Sequence, residues 1–370
     1  MFAPAEFGGS CLSAQCGAAD DRRAGGRYTG LVTDRELPPP LDDDEEADQP
    51  SADDVLDELE AGGAYEYASL RALSEIGDAQ LMRLMGMWPR FDPERRRELL
   101  AKLDQLAGEE ALLDFHRIHL SALQDSDVAT RILAVRGIAV EERPEYLPVL
   151  CEQLRNDAAA SVRAEVADVL GQWVVSMEFG MLSEEDAEEL TVGLTDRIHD
   201  DEEDEEVRGR CLEALGASSE ETVGELIGET YEVGSHRLRV AAIKAMGRSA
   251  SETWLPILVF NFDDDDADIR SAAATAAGAL LVDEAVTPLG MLLEDRETEV
   301  QVAAIRALGE IGGEEAERIL TRLQRETAEP EIREAAEDAL AQSQLLSVPI
   351  RDDGESEPDF SESELDGAGF

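Results

Sequence analysis

The stretch at residues 157–171, DAAASVRAEVADVLG, decides the fold of this chain. Its Arg follows its Asp by six residues, and small or aliphatic side chains then return every three or four. A Gly closes the stretch eight residues after Arg163. The same frame recurs at 264–278 (DDDADIRSAAATAAG) and at 295–309 (DRETEVQVAAIRALG), with Gln301 in the place of the Arg. Taking Arg163 as anchor, Val162, Val166, Ala167, Val169 and Leu170 share one face of a helix. The closing Gly reads as a left-handed C-cap, a state only Gly takes cheaply. Ala273, Ala274, Ala276 and Ala277 leave room for a neighbouring helix to come close.

Anchors in this frame fall at Ser69, Leu100, Arg131, Arg163, Arg208, Arg239, Arg270, Gln301 and Arg333, at spacings of 31, 31, 32, 45, 31, 31, 31 and 32. Self-similarity at about 30 residues is the mark of stacked repeats. Between anchors lies a second helical segment, as at 144–155, 252–262, 284–294 and 314–326. Three of these hold a Pro near their start: Pro148, Pro256 and Pro288. Pro costs little at a helix start and bends the helix if deeper. The unit is helix A, short turn, helix B, and the expected fold is an all-α solenoid of about nine such units.

The period, the Pro in helix A, the Asp–Arg spacing and the small-small-Gly ending together resemble the HEAT repeat, in its short form similar to that of phycobilisome (PBS) lyases. The resemblance covers 52–345 and is weakest in the two units before Asp125. It implies a superhelix whose Asp–Arg spacing builds a ladder between neighbouring units. Here that ladder would use Asp125 with Arg131, Asp157 with Arg163 and Asp264 with Arg270. Glu202 would substitute before Arg208, and the rung at Asp295 would lose its Arg to Gln301.

With 370 residues, 85 acids and 32 bases, the formal charge is −53. Only Lys102 and Lys244 are lysine. A GC-rich genome accounts for Arg over Lys; a salt-rich cytoplasm accounts for that and the acid together. Such a field repels nucleic-acid phosphate, which is bound by clustered bases. The acid reads either as a solvated surface that keeps the chain soluble or as a field that draws a partner protein with a basic surface. There is no apolar run long enough to span a membrane, and the first residues lack the basic and apolar regions of a signal peptide. Four Cys without paired spacing suit a reducing, cytoplasmic setting.

Residues 1–50, rich in Gly, Pro and charge, read as disordered, with Cys11 and Cys16 carrying no partner ligand nearby. The solenoid is expected over 51–345 and a disordered acidic tail over 346–370. Ser51 with Asp54 reads as a capping box, and Gly62–Gly63 as the end of the first helix. Helices follow over 65–76 and 79–87, then a corner at Trp88–Pro89. Asp92 with Pro93 opens a helix that points Leu99, Leu100, Leu103 and Leu106 inward and residues 95–97 to solvent. The long interval places 14 extra residues within 172–206. There Trp173, Val174, Val175, Met177, Phe179, Met181 and Leu182 extend helix B over a seam, and Ser183 with Asp186 opens the next A helix. Seven acids, 200–206, then form a loop suited to solvent, a cation or a basic latch.

No catalytic set stands out, and no cofactor or metal is expected. His116 and His119 lie one helical turn apart near Asp114, too few for a metal site. No His is followed by Glu, unlike the di-iron deoxyhypusine hydroxylases of similar fold. Asp264, Asp266 and Asp268 alternate as in a calcium loop, but Ile269 and Thr275 stand where Gly and an acid are needed. Cys151 and Cys211 read as buried small apolar residues. One stretch departs from the acid background: Arg237, Arg239, Lys244 and Arg248, with His236 before them. Arg237, Lys244 and Arg248 beside Trp254 form the candidate contact patch. The expected function is a non-catalytic scaffold or assembly factor holding another protein on its concave face. The alternative, from the repeat resemblance, is a PBS-lyase-like role in bilin attachment. The oligomeric state is left open.

Overall fold

Every apolar stripe in the frame buries one face, and the helices it makes alternate between two layers. The computed structural model describes residues 50–62, 65–140 and 143–346, all within one unit of the chain, Gln49–Phe370. The readings for Cys11, Cys16, the rest of the N-terminal extension and the acidic tail fall outside these residues.

The helices are α1 (Ala52–Ala61), α2 (Asp78–Met87), α3 (Pro93–Glu109), α4 (His116–Ala122), α5 (Val128–Ala139) and α6 (Leu147–Asn156). After them come α7 (Ala160–Glu178), α8 (Glu184–His199), α9 (Glu205–Leu215), α10 (Glu221–Val233), α11 (His236–Arg248) and α12 (Leu255–Phe260). The array ends with α13 (Ala267–Ala279), α14 (Val286–Met291), α15 (Thr298–Ile311), α16 (Gly313–Glu326) and α17 (Pro330–Leu346). No strand occurs among the described residues. The first unit is irregular, with a 3-10 helix at Tyr67–Leu73 where a longer helix was expected.

From α3 onward the odd-numbered helices hold the anchors and form the B layer. Each B helix packs directly on the next, while the A layer is joined more loosely. Small residues set this difference. A Cβ added at Gly216, Gly247, Gly278 or Gly309 would lie 2.9, 2.7, 2.6 or 2.8 Å from the Cα of Ala245, Ala276, Ala307 or Ala339. The frame Gly is therefore a point of close approach and not the left-handed C-cap its position suggests; Gly216 ends α9, but with φ at −53°. Helix α7 runs on past Gly171 to Glu178, and α15 past Gly309 to Ile311. The left-handed residue comes three positions after the frame Gly, at Ala250, Leu281 and Gly312, with φ of 49°, 55° and 67°.

Proline explains the uneven A layer. A Pro early in a helix lacks an N–H and crowds the carbonyl four residues back. Each A segment with Pro148, Pro256 or Pro288 accordingly starts as a 3-10 turn and becomes α-helical only afterwards. Segments without Pro (α8, α10, α16) are continuous.

The core is one continuous apolar cluster from Val55 to Ala339. The long interval is shared between α7, whose 19 residues bury Trp173 and Val174, the 16-residue α8 and the connections on either side of α8. Val175, Phe179 and Met181 instead stand exposed, while Met177 and Leu182 pack against the core, so the run covers the seam with one face. At the far end α17 buries Ala336 and Ala339 and turns Glu334, Glu337 and Asp338 outward, a polar finish to the stack.

Candidate interaction surface

The B helices are held in register by a ladder whose wiring differs from simple pairing within a unit. Arg131 donates to the backbone carbonyl of Asp125 at 2.8 Å and forks onto the Asp157 carboxylate of the next unit at 2.7 and 2.8 Å. Arg270 does the same with the Asp264 carbonyl and the Asp295 carboxylate. Arg163 takes the Asp157 carbonyl but reaches Glu203, Nε to Oε2 2.9 Å, across the enlarged unit. Glu203, not Glu202, thus replaces the ladder Asp, its longer side chain offsetting its different position. The seven acids do not form one solvated loop: Glu203 is buried, and Asp204 caps α9.

Asp295 keeps its rung through Arg270; Gln301 still donates to the Asp295 carbonyl at 2.6 Å. What Gln301 lacks is a forward partner, since Thr327 stands where the next Asp would be. Arg208 is similarly cut off, because Val233 occupies the Asp position ahead of Arg239; it turns back to the Ile198 carbonyl and Asp201. Asp125 is claimed from behind by Trp88 Nε1 at 2.6 Å and Arg96 at 2.6 and 2.8 Å. Arg96 therefore points inward, against the expectation that the 95–97 run is solvated.

Electrostatics follow this wiring. Burial would raise the Asp157 carboxyl, but the Arg131 guanidinium and the Ala159 N–H hold it below its ordinary value. Glu203 and Asp295 are lowered against burial in the same way, by Arg163 and Arg270.

What the ladder holds up is the exposed side of the B layer. Counting from each anchor, positions −2, +1, +2, +5 and +9 repeatedly share one face. Between α9 and α11 they line a groove of about 340 Å³ with Glu206, Gly209, Arg210, Glu213, Arg237, Val240, Ala241 and Lys244. Between α13 and α15 they line one of about 530 Å³ with Ser271, Thr275, Glu299, Val302, Ala303, Arg306 and Glu310. Small apolar residues form the floor and charged residues the rims.

Arg237, Lys244 and Arg248 lie at −2, +5 and +9 of α11 and so occupy this face. Lys244 sits 3.4 Å from Glu213, and Arg237 only 3.9 Å from Glu206. Arg248 reaches back past α9 to the Gly171 carbonyl at 3.4 Å. One side chain thereby links α7 and α11. Trp254 stands apart, at the start of the α12 segment and against Gly228 of α10 in the A layer. Arg239 is used inside the stack, donating to the buried Asn261 at 2.9 Å and to Asp264 at 3.3 Å. Sequence reasoning missed Arg210 on the face and Glu203 and Arg96 in the ladder. Arg210 was legible from its +2 position, whereas the ladder pairs lay off the six-residue spacing.

The other candidate groups are occupied structurally. His116 pairs with Asp114, while His119 is buried with Nε2 3.0 Å from Asp104. Gly137 leaves the space for that ring. Asp264 and Asp266 accept backbone N–H groups at the α13 start, and Arg270 binds the carbonyls of Asp264 and Asp265. His236, Asp266 and Asp268 come within metal-ligand distance of one another. His236 already pairs with Asp266 at 2.9 Å, and the positive N-terminal ends of α11 and α13 oppose a cation there. Cys151 and Cys211 are buried, and burial pushes the Cys151 thiol up to about 12.

Two interlocked helical layers with one continuous core define an α-solenoid. Residues 191–278 and 260–341 match the family model of HEAT repeats. Comparison with curated proteins gives no match. Similar solved structures include a chain of the CpcE–CpcF complex of phycocyanin lyase from Nostoc sp. PCC7120, at 16% identity and TM-score 0.43, covering 71% of this chain and 94% of that one. The Escherichia coli protein YibA is 17% identical with TM-score 0.38, covering 68% and 97%. Kap95p in its complex with RanGDP is 14% identical with TM-score 0.44, covering 81% of this chain and 46% of that one. No helix among the described residues is long and apolar enough to cross a membrane.

Proposed function

We propose that this chain is a non-catalytic scaffold that holds a segment of another protein against its B-helix face. The observation that supports this most is the recurrence of one groove at two seams, lined from the same frame positions and open to solvent. A face repeated in this way presents an extended surface, the usual binding element of a solenoid. The net charge of −53 would draw a partner with basic regions toward the molecule.

The test is affinity capture from native lysate at the salt of the source. Wild type is compared with Arg237→Glu/Lys244→Glu/Arg248→Glu on the B face and with Arg318→Glu/Arg322→Glu/Arg325→Glu on α16 of the A layer. A partner lost only with the B-face variant supports the reading. A partner lost only with the α16 variant refutes it. Recovery of a tetrapyrrole-bearing protein would point instead to bilin attachment.

A further inference from the structure

The charges on the B face are ordered, and both outer rows change sign at the same place. In the −2 row Arg237 of α11 is followed by Asp268, Glu299 and Glu331 of α13, α15 and α17. In the +9 row Arg248 of α11 is followed by the small Ala279 and then by Glu310 of α15. The cations at α11 are incompletely neutralised. Arg248 bonds a carbonyl and, among the described residues, has no carboxylate partner, and Arg237 meets Glu206 only at 3.9 Å. The anions at α15 and α17, Glu299, Glu310 and Glu331, line one groove with Arg306 as its base. Glu310 is pressed toward Gly278, where an added Cβ would lie 3.0 Å from its Oε2. Burial there pushes its carboxyl up, with Arg306 drawing it back.

We propose, building on the scaffold reading, that the occupant of this face is an extended peptide segment of mixed charge. The −2 and +9 rows are eleven residues, about 16 Å, apart along each helix, so a segment crossing the helices follows one row. Its acidic residues lie over Arg237 and its Lys or Arg residues over Glu299 or, in the other row, over Arg248 and Glu310. Helices packed at about 8–10 Å place α11 and α15 roughly 16–20 Å apart. An extended chain rising about 3.3 Å per residue covers that distance in about five or six residues. The recognised pattern is therefore an acidic pair and a basic pair with centres about five or six residues apart. A cation over Glu310 would relieve its desolvation, and an anion over Arg248 would supply the missing counter-charge. The floor of Val240, Ala241, Val302 and Ala303 admits backbone and small side chains beneath the charged rims.

The test uses fluorescein-labelled synthetic peptides of about 15 residues, Ser/Ala/Gly-based, with the full-length protein and anisotropy as readout at about 0.15 M salt, where long-range fields are screened. One set carries two Glu and two Arg at centre spacings from two to nine, in both chain directions; all-Glu and all-Arg peptides complete it. The mixed peptide at spacing five or six is expected to bind at least about tenfold tighter than the all-Arg peptide, a difference of about 1.4 kcal/mol. Arg237→Glu/Arg248→Glu should invert that preference toward the all-Arg peptide, and Glu299→Arg/Glu310→Arg should invert it toward the all-Glu peptide. Circular dichroism confirms that each variant is folded. The proposal is overturned if wild type binds the all-Arg peptide as tightly as the mixed one, or if neither variant changes the order. If no peptide binds while lysate capture still depends on the B face, the segment proposal falls and the scaffold reading stands.

Discussion

Replacing Gly278 by Ala tests the packing of the B layer, because two effects of opposite sign meet there. Alanine improves helix propensity by about 1 kcal/mol over glycine. At Gly278 the new methyl would lie 2.6 Å from both Cα and Cβ of Ala307 and 3.0 Å from Glu310 Oε2. Glu310 can swing away, but the Ala307 backbone cannot. Restoring an ordinary carbon contact of about 3.5–4.0 Å requires α15 to retreat by roughly 1 Å, which also disturbs its packing on α17. Overpacking of this kind costs about 1–3 kcal/mol, so Gly278→Ala should be net destabilising by up to about 2 kcal/mol. Gly224 in α10 has nothing within 4 Å of an added Cβ; there the propensity term acts alone and Ala should stabilise by up to about 1 kcal/mol. Thermal and urea unfolding of both variants followed by circular dichroism decides the matter. If Gly278→Ala is as stable as Gly224→Ala, the frame Gly is not a contact point and the packing account fails.

Leu281→Gly should raise stability by about 1 kcal/mol, because Leu281 holds φ at 55° while 64% exposed; a lower melting temperature would show that its contacts outweigh the strain. Leu215→Asp, which places a charge at a site with no exposure, should cost about 4 kcal/mol or prevent folding, as urea titration will show. Arg163→Ala should cost about 2 kcal/mol by removing the forked bond to the buried Glu203 carboxylate, which keeps Arg197 at 3.5 Å and the Asp204 N–H, and Glu203→Gln added to it should recover part of the loss. The folded Glu203 carboxyl is held below its ordinary value, so the folded state binds its proton less readily than the unfolded chain. Its contribution is complete above the unfolded pKa of about 4.3 and is lost as pH falls through the folded value. The melting difference between wild type and Glu203→Gln should therefore shrink from neutral pH to about pH 3, and a constant difference would contradict it. Added salt up to about 1 M should raise the melting temperature by screening carboxylate repulsion; a flat response would mean that repulsion does not limit stability.

The array could be read from residues because its period and apolar stripes record local geometry. The identity of the frame Gly could not. A Gly after a run of small residues looks the same whether it ends a helix or admits a neighbouring one. Only the position of α15 against α13 shows which. The ladder was half legible: the six-residue spacing exposes the bond from Arg to the Asp carbonyl, but the carboxylate partner lies in another unit. Glu203 and Arg96 escaped because they satisfy that geometry from positions outside the frame. The basic patch was visible as a cluster of bases against an acidic background, and Arg237, Lys244 and Arg248 do share a face. Trp254 was drawn in by nearness in sequence, while the turn between α11 and the α12 segment carries it to the other layer.

The most direct test of the interaction face is hydrogen–deuterium exchange of the chain with and without its captured partner. Protection should rise along the exposed positions of α9, α11, α13 and α15 and at the start of α17, and remain unchanged in α10, α12, α14 and α16. Protection confined to the A helices, or to the exposed apolar end of α7 and the α7–α8 connection, would contradict the account and move the binding surface off the B layer.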